Sequence, residues 1–143
     1  MPHDGALALS LGGSFSLIAA LAHLACIGIG PQAYRFMGAG ERAARAAERG
    51  DRVLTLSTLG IAAVLALWAL FAFSAAGLVV RLPLTRWVLL AVSAAYLARA
   101  LAFPRLRSAF PGNSRTFWWV SSGVCLVAGA LHAYGLARLW SSL

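Results

Sequence analysis

The sequence predicts an all-α integral membrane protein: a four-helix bundle with a short cytoplasmic helix between its first two spans. Three observations carry that expectation. The 143 residues are 61% apolar and only 11% charged, far from the balance of a soluble domain. The apolar residues gather into four continuous runs near the ~20 residues that cross a hydrocarbon core. Most of the charges lie between those runs, and most of them are arginine.

The runs are Leu7 to Ile29, Leu54 to Phe73, Trp87 to Phe103 and Phe117 to Leu139, in a single domain of 143 residues. They are continuous and rich in Ala and Leu, where strands of a membrane barrel would alternate, so helices are expected. The stretch before the first run has no basic n-region and reads as the start of a span, not as a cleaved leader. Two cysteines, Cys26 and Cys125, fall within runs and form no CxxC pair, which fits buried apolar thiols.

The first run carries Gly12, Ser16, Ala19, His23, Cys26 and Gly30 at alternating steps of four and three. Small and weakly polar residues on one seam let membrane helices approach closely, so this face is expected to meet protein. Pro31 ends the run, and Tyr34, Arg35 and Phe36 read as interfacial anchors. The connector, residues 31–53, holds the one long hydrophilic stretch. From Glu41 to Arg49 it lacks Gly and Pro and is rich in alanine, which predicts a short helix stopped by Gly50. Glu41 with Arg45, and Glu48 with Arg52, stand at the favourable i,i+4 spacing. Ala43 and Ala47 form a smooth face.

In the second run Ala62, Ala66, Ala69 and Ala76 offer a small-residue edge, and its polar content is slight. Leu82, Pro83 and Leu84 predict a turn. The third run ends beside Arg99, about 6 Å from the helix end, within reach for its side chain to snorkel to head groups. Pro104 and the Pro111-Gly112-Asn113 triplet predict a plain loop, and Trp118 and Trp119 mark re-entry. The fourth run repeats the small seam with Ser121, Cys125, Ala128, His132 and Gly135.

The formal charge of +8 comes from twelve arginines against four acids. They flank runs and do not form one basic surface, which argues against nucleic acid as partner. The link between the first two runs and the link between the last two hold most of them, so the positive-inside rule places both links in the cytoplasm and both termini outside, in a bacterial inner membrane. The bilayer is one expected partner, and a second copy or a larger membrane complex is the other.

Candidate chemistry is sparse. Ionisable residues inside spans are functional candidates by default, and here these are His23 and His132, with Arg99 near a span end. Two histidines on facing helices can ligate haem or a metal. Their depths differ, however: His23 is about 10 Å from the cytoplasmic end of its helix and His132 about 22 Å, so two neutral histidines hydrogen-bonded across helices are expected, with no cofactor. No Asp or Glu lies within a run, so the carboxylate that usually couples proton flow to transport is missing.

The segment Glu41-Arg42-Ala43-Ala44-Arg45-Ala46 resembles the MAPEG family of small four-span membrane proteins, which includes glutathione-dependent transferases. The resemblance implies glutathione binding that depends on Arg42 and Arg45, in a segment that also holds Glu41. Where the family pattern continues with Asn and then Glu, this chain has Arg49 and Arg52. The longer phrase Tyr34 to Arg42 looks more like a group of uncharacterised four-span bacterial membrane proteins. The leading expectation is a non-catalytic inner-membrane protein that packs as an accessory module of a complex or homo-oligomer. A MAPEG-like transferase and a small lipid or solute carrier are the alternatives; the last requires an internal polar cavity that reaches His23 or His132.

Overall fold

The computed structural model describes residues 2–143. Every described element is helical: α1 (Pro2–Ile29), α2 (Pro31–Phe36), α3 (Glu41–Glu48), α4 (Arg52–Ala75), α5 (Thr85–Leu101), α6 (Phe103–Ala109) and α7 (Arg115–Leu139), with a final 3₁₀ turn over Trp140–Ser142. Three of these are long and apolar enough to cross a membrane, within His3–Ile29, Arg52–Ala75 and Arg115–Ser142; a fourth span exists if α5 and α6 count as one.

The long helices begin and end where local chemistry dictates. The Asp51 carboxylate accepts from the amides of Val53 (2.8 Å) and Leu54 (3.3 Å) at the start of α4, and the Ser114 hydroxyl accepts from Phe117 N–H at the start of α7. These side chains satisfy amides that have no partner in the first turn. Gly50, at φ +66°, stops α3 as expected. After α4, Ser74 donates to the Val80 carbonyl and accepts from Leu82 N–H, and Thr85 Oγ1 donates to the Leu82 carbonyl at 2.7 Å across the expected Leu82–Leu84 turn.

The third run departs from expectation. Helix α5 stops at Leu101, and the chain bends by 66° into α6, so the link expected to be a plain loop contains a helix. Pro104 explains both facts. It sits in the first turn of α6, where its missing N–H costs nothing and its fixed φ suits a helix start, yet the same ring would clash with the carbonyls of a continuing α5.

Helix α1 packs against α4 and α7, and α5 packs against α7 and α4. At one end Leu9, Ala72, Leu89, Leu136 and Leu139 form a buried core. Close approach there depends on glycine: a Cβ on Gly135 would come within 2.5 Å of the Leu9 side chain. A second cluster around Ala20, Leu65, Val92, Tyr96 and Ala128 continues toward the other end. The small seams face inward in most of their length, with Gly12, Ser16 and Cys26 buried on α1 and Ala128, His132 and Gly135 buried on α7. On α4 the inward edge is Ala62, Leu65, Ala69 and Ala72, while Ala66 faces out. On α3 the buried alanines are Ala44 and Ala46, in place of Ala43 and Ala47.

Candidate functional site

The ion pairs expected within α3 and into α4 are replaced by a tertiary tie. Arg35 on α2 donates from Nε (3.0 Å) and Nη2 (2.9 Å) to the two oxygens of Glu41, and Nη2 also reaches Glu48 at 2.9 Å. Glu41 and Glu48 lie two turns apart on one side of α3, so one planar guanidinium spans both, with the fork geometry that favours Arg over Lys. The hydrogen bond from Arg35 holds the Glu41 carboxyl below its ordinary range, and the same bonds raise Arg35. Helix α3 is thereby tied back onto α2.

The two helix links are also joined to each other. Asn113 donates to the Gly38 carbonyl at 3.0 Å, and the Phe117 ring lies over Gly38, where any Cβ would fall inside the ring and where φ is +74°. Only glycine suits that position. Together with the bent α6, this clamp forms a roof.

Beneath the roof is a cavity of about 440 Å³, within the usual size range of small-molecule sites. His23, Tyr34, Thr58, Arg99, Phe110 and Trp118 are among its walls. Tyr34 is buried, not an interfacial anchor. The Thr58 hydroxyl donates to the Leu54 carbonyl (2.8 Å) and accepts from Tyr34 OH (3.0 Å), so α2 is fastened to α4 and that polar pair is satisfied.

Arg99, half-buried, lines this cavity. Its Nη2 donates weakly to Ser121 Oγ at 3.3 Å, its guanidinium lies 5.6 Å from the Trp118 ring, and its Nη1 is buried with no hydrogen-bond partner. Trp118 is 2% exposed, and its Nε1 is a second buried donor without an acceptor. No Asp or Glu lines the cavity among the described residues. Two orphaned donors, one of them cationic, therefore border the same largely apolar space. Buried polar groups normally find partners, and each orphan costs about 1–3 kcal/mol. Both residues line the cavity, and an oxyanion there would complement the charge of Arg99.

The histidines are not brought together. His23 Nδ1 donates to Ala19 O at 2.7 Å and His132 Nδ1 to Ala128 O at 2.8 Å, each within its own helix and not across helices as expected. His132 is fully buried, stacked on Tyr96 with ring centroids 5.5 Å apart and pressed against Gly12 of α1. Gly12 and His23 are eleven residues apart on that helix, about 16 Å along its axis, too far for one metal or one haem iron to be shared. Nearby, Ser16 donates to Gly12 O (3.3 Å) and shares a 2.8 Å hydrogen bond with Tyr96 OH.

A second space, a groove of about 690 Å³, adjoins the cavity and shares Ala39, Leu54 and Phe110 with it. Glu41, Arg42, Arg49 and Asp51 line the groove; Arg45 lines neither space. Tyr34, Thr58 and Trp118 had passed as anchors or inert residues in the sequence. The signals that could have drawn attention to them are the adjacent Ser57-Thr58 hydroxyls inside an oily run and the tryptophan pair, of which Trp119 is 64% exposed and Trp118 is not. No protein-family model matches this sequence, and comparison with the curated proteins and with the solved structures returned no match.

Proposed function

We propose that this chain is a four-helix membrane bundle of the bacterial inner membrane that binds or carries an amphiphile with an anionic head, held in the cavity beside Arg99. The observation that supports the reading most strongly is the pair of buried, unpartnered donors, Arg99 Nη1 and Trp118 Nε1, on one cavity wall. The arginine distribution supports a cytoplasmic position for this end, close to where the head groups of inner-leaflet lipids lie. The head group meets the guanidinium and the indole N–H, and the apolar portion meets the surrounding rings and aliphatic side chains. A purely structural accessory module gives no reason to keep an unpaired cation in an oily cavity, which is why the carrier alternative is preferred to the packing role. The glutathione reading is weaker, since Glu41 is engaged by Arg35 and Arg45 lies away from both spaces.

The test is a titration of the detergent-solubilised, lipid-stripped protein with a long-chain alkyl phosphate, followed by tryptophan fluorescence. Saturable binding is expected, and Arg99→Gln should weaken it by about 10- to 100-fold, as befits loss of a charge-assisted hydrogen bond of about 1.5–3 kcal/mol. Equal affinity in wild type and Arg99→Gln would refute the proposal.

A further inference from the structure

We infer that the ligand carries two phosphate groups, one in the cavity and one in the adjoining groove. The inference rests on the reading of the cavity given above and adds the class of lipid. The groove and the cavity are continuous in their walls through Ala39, Leu54 and Phe110, so a molecule seated at Arg99 can extend into the groove past Phe110.

The charges of the groove favour an anion there. Its four ionisable residues are two acids and two bases, but the acids are already engaged. Glu41 is held by Arg35, and Asp51 accepts the first amides of α4. Arg42 and Arg49 have no ion-pair partner among the described residues. They stand seven residues apart, two turns along one side of the α3 segment, as Glu41 and Glu48 do on the side that faces Arg35. The result is a segment whose two glutamates share Arg35, while Arg42 and Arg49, which line the groove beside Glu41, have no ion-pair partner among the described residues.

Arginine forks match phosphate oxygens in geometry as well as charge, and basic pockets between helices at the cytoplasmic side suit multiply charged lipid heads. A fatty carboxylate or a lipid with one phosphate would engage Arg99 and leave Arg42 and Arg49 unused. A two-phosphate lipid engages both places. The phosphates can be adjacent, as in a long-chain alkyl diphosphate, or separated by a glycerol, as in cardiolipin.

The experiment compares three ligands of matched chain length on the purified full chain in neutral detergent: phosphatidylglycerol with one phosphate, cardiolipin, and an alkyl diphosphate. At least one two-phosphate ligand is expected to bind about 10-fold more tightly than phosphatidylglycerol, and which one does so fixes the phosphate spacing. In the Arg42→Gln/Arg49→Gln double variant that ratio should fall to about one. In Arg105→Gln/Arg107→Gln, which removes the same charge from α6 outside the groove, the ratio should persist. A wild-type ratio near one, or a ratio unchanged by the Arg42/Arg49 variant, overturns the inference. Phosphatidylglycerol binding that depends on Arg99 with no two-phosphate preference would sink this inference alone, while binding that ignores Arg99 would sink the cavity reading with it.

Discussion

The two ends of the molecule are built from the same four long helices and differ in what fills the space between them. At the closed end, Leu9 and Leu89 are completely buried and glycines let backbones meet. At the open end, the neighbouring stretches of the same helices surround a cavity, an unpaired guanidinium and a roof made from the links. The closed end is what stability alone would select. Arg99 Nη1 and Trp118 Nε1 at the open end lack partners beside a cavity, the pattern expected where a fold gives up some stability for a ligand; His132 Nε2, also unpartnered, is packed within the bundle.

The contrast can be broken from either side. The largest effect is expected at the closed end: Leu9→Ala removes a side chain with no exposure and should cost about 2–5 kcal/mol, read as a drop in thermal midpoint in detergent. A fall no greater than that of an exposed leucine such as Leu7 would mean that this end is not the tight one. At the open end the sign should reverse. Arg99→Leu removes a half-buried guanidinium whose Nη1 has no hydrogen-bond partner, so the lipid-stripped protein should gain about 1–3 kcal/mol while losing ligand binding. A destabilised Arg99→Leu would show that the guanidinium is structural. A smaller loss, about 1 kcal/mol, is expected for Thr58→Val, which leaves Tyr34 OH without its acceptor at 3.0 Å; an unchanged midpoint would contradict that fastening.

The smallest effect lies outside the helix core, in the tie between α2 and α3. Because Arg35 lowers the Glu41 pKa, the tie is fully present above the ordinary glutamate range and is lost only as pH falls through the lowered value in the folded state. Protection of the α3 amides, taken relative to the intrinsic exchange rate at each pH, should therefore persist as pH passes through the ordinary glutamate range and fall below it. In Arg35→Gln the transition should move up to that ordinary range. An identical transition in both proteins would remove the tie from the account.

The closed end was the more legible in the sequence. Apolar runs located the four long helices to within a few residues, and the alanine-rich stretch before Gly50 located α3, because length, hydropathy and backbone chemistry are local properties. The seams at Gly12, Ser16, His132 and Gly135 were legible for the same reason, since three-and-four spacing fixes a helix face. The open end was less so. Pro104 was read as a breaker in a loop, although proline in a first turn starts a helix. Arg99 was read from its depth in the third run alone, which could not show the cavity that it lines with Trp118 of α7. Glu41 and Glu48 were matched to arginines at i,i+4, the only pairing that spacing can reveal, while their partner Arg35 arrives from another helix. Both histidines were expected to reach across helices and instead satisfy one ring nitrogen on the carbonyl four residues before them.

The central claim is that the cavity exists to hold an anion at Arg99, and native mass spectrometry of protein gently extracted from membranes tests it most directly. Wild type should retain one acidic lipid-sized molecule per chain, and Arg99→Gln prepared alongside should be stripped of it. Wild type with no retained mass, or Arg99→Gln with the same mass at the same occupancy, would contradict the account.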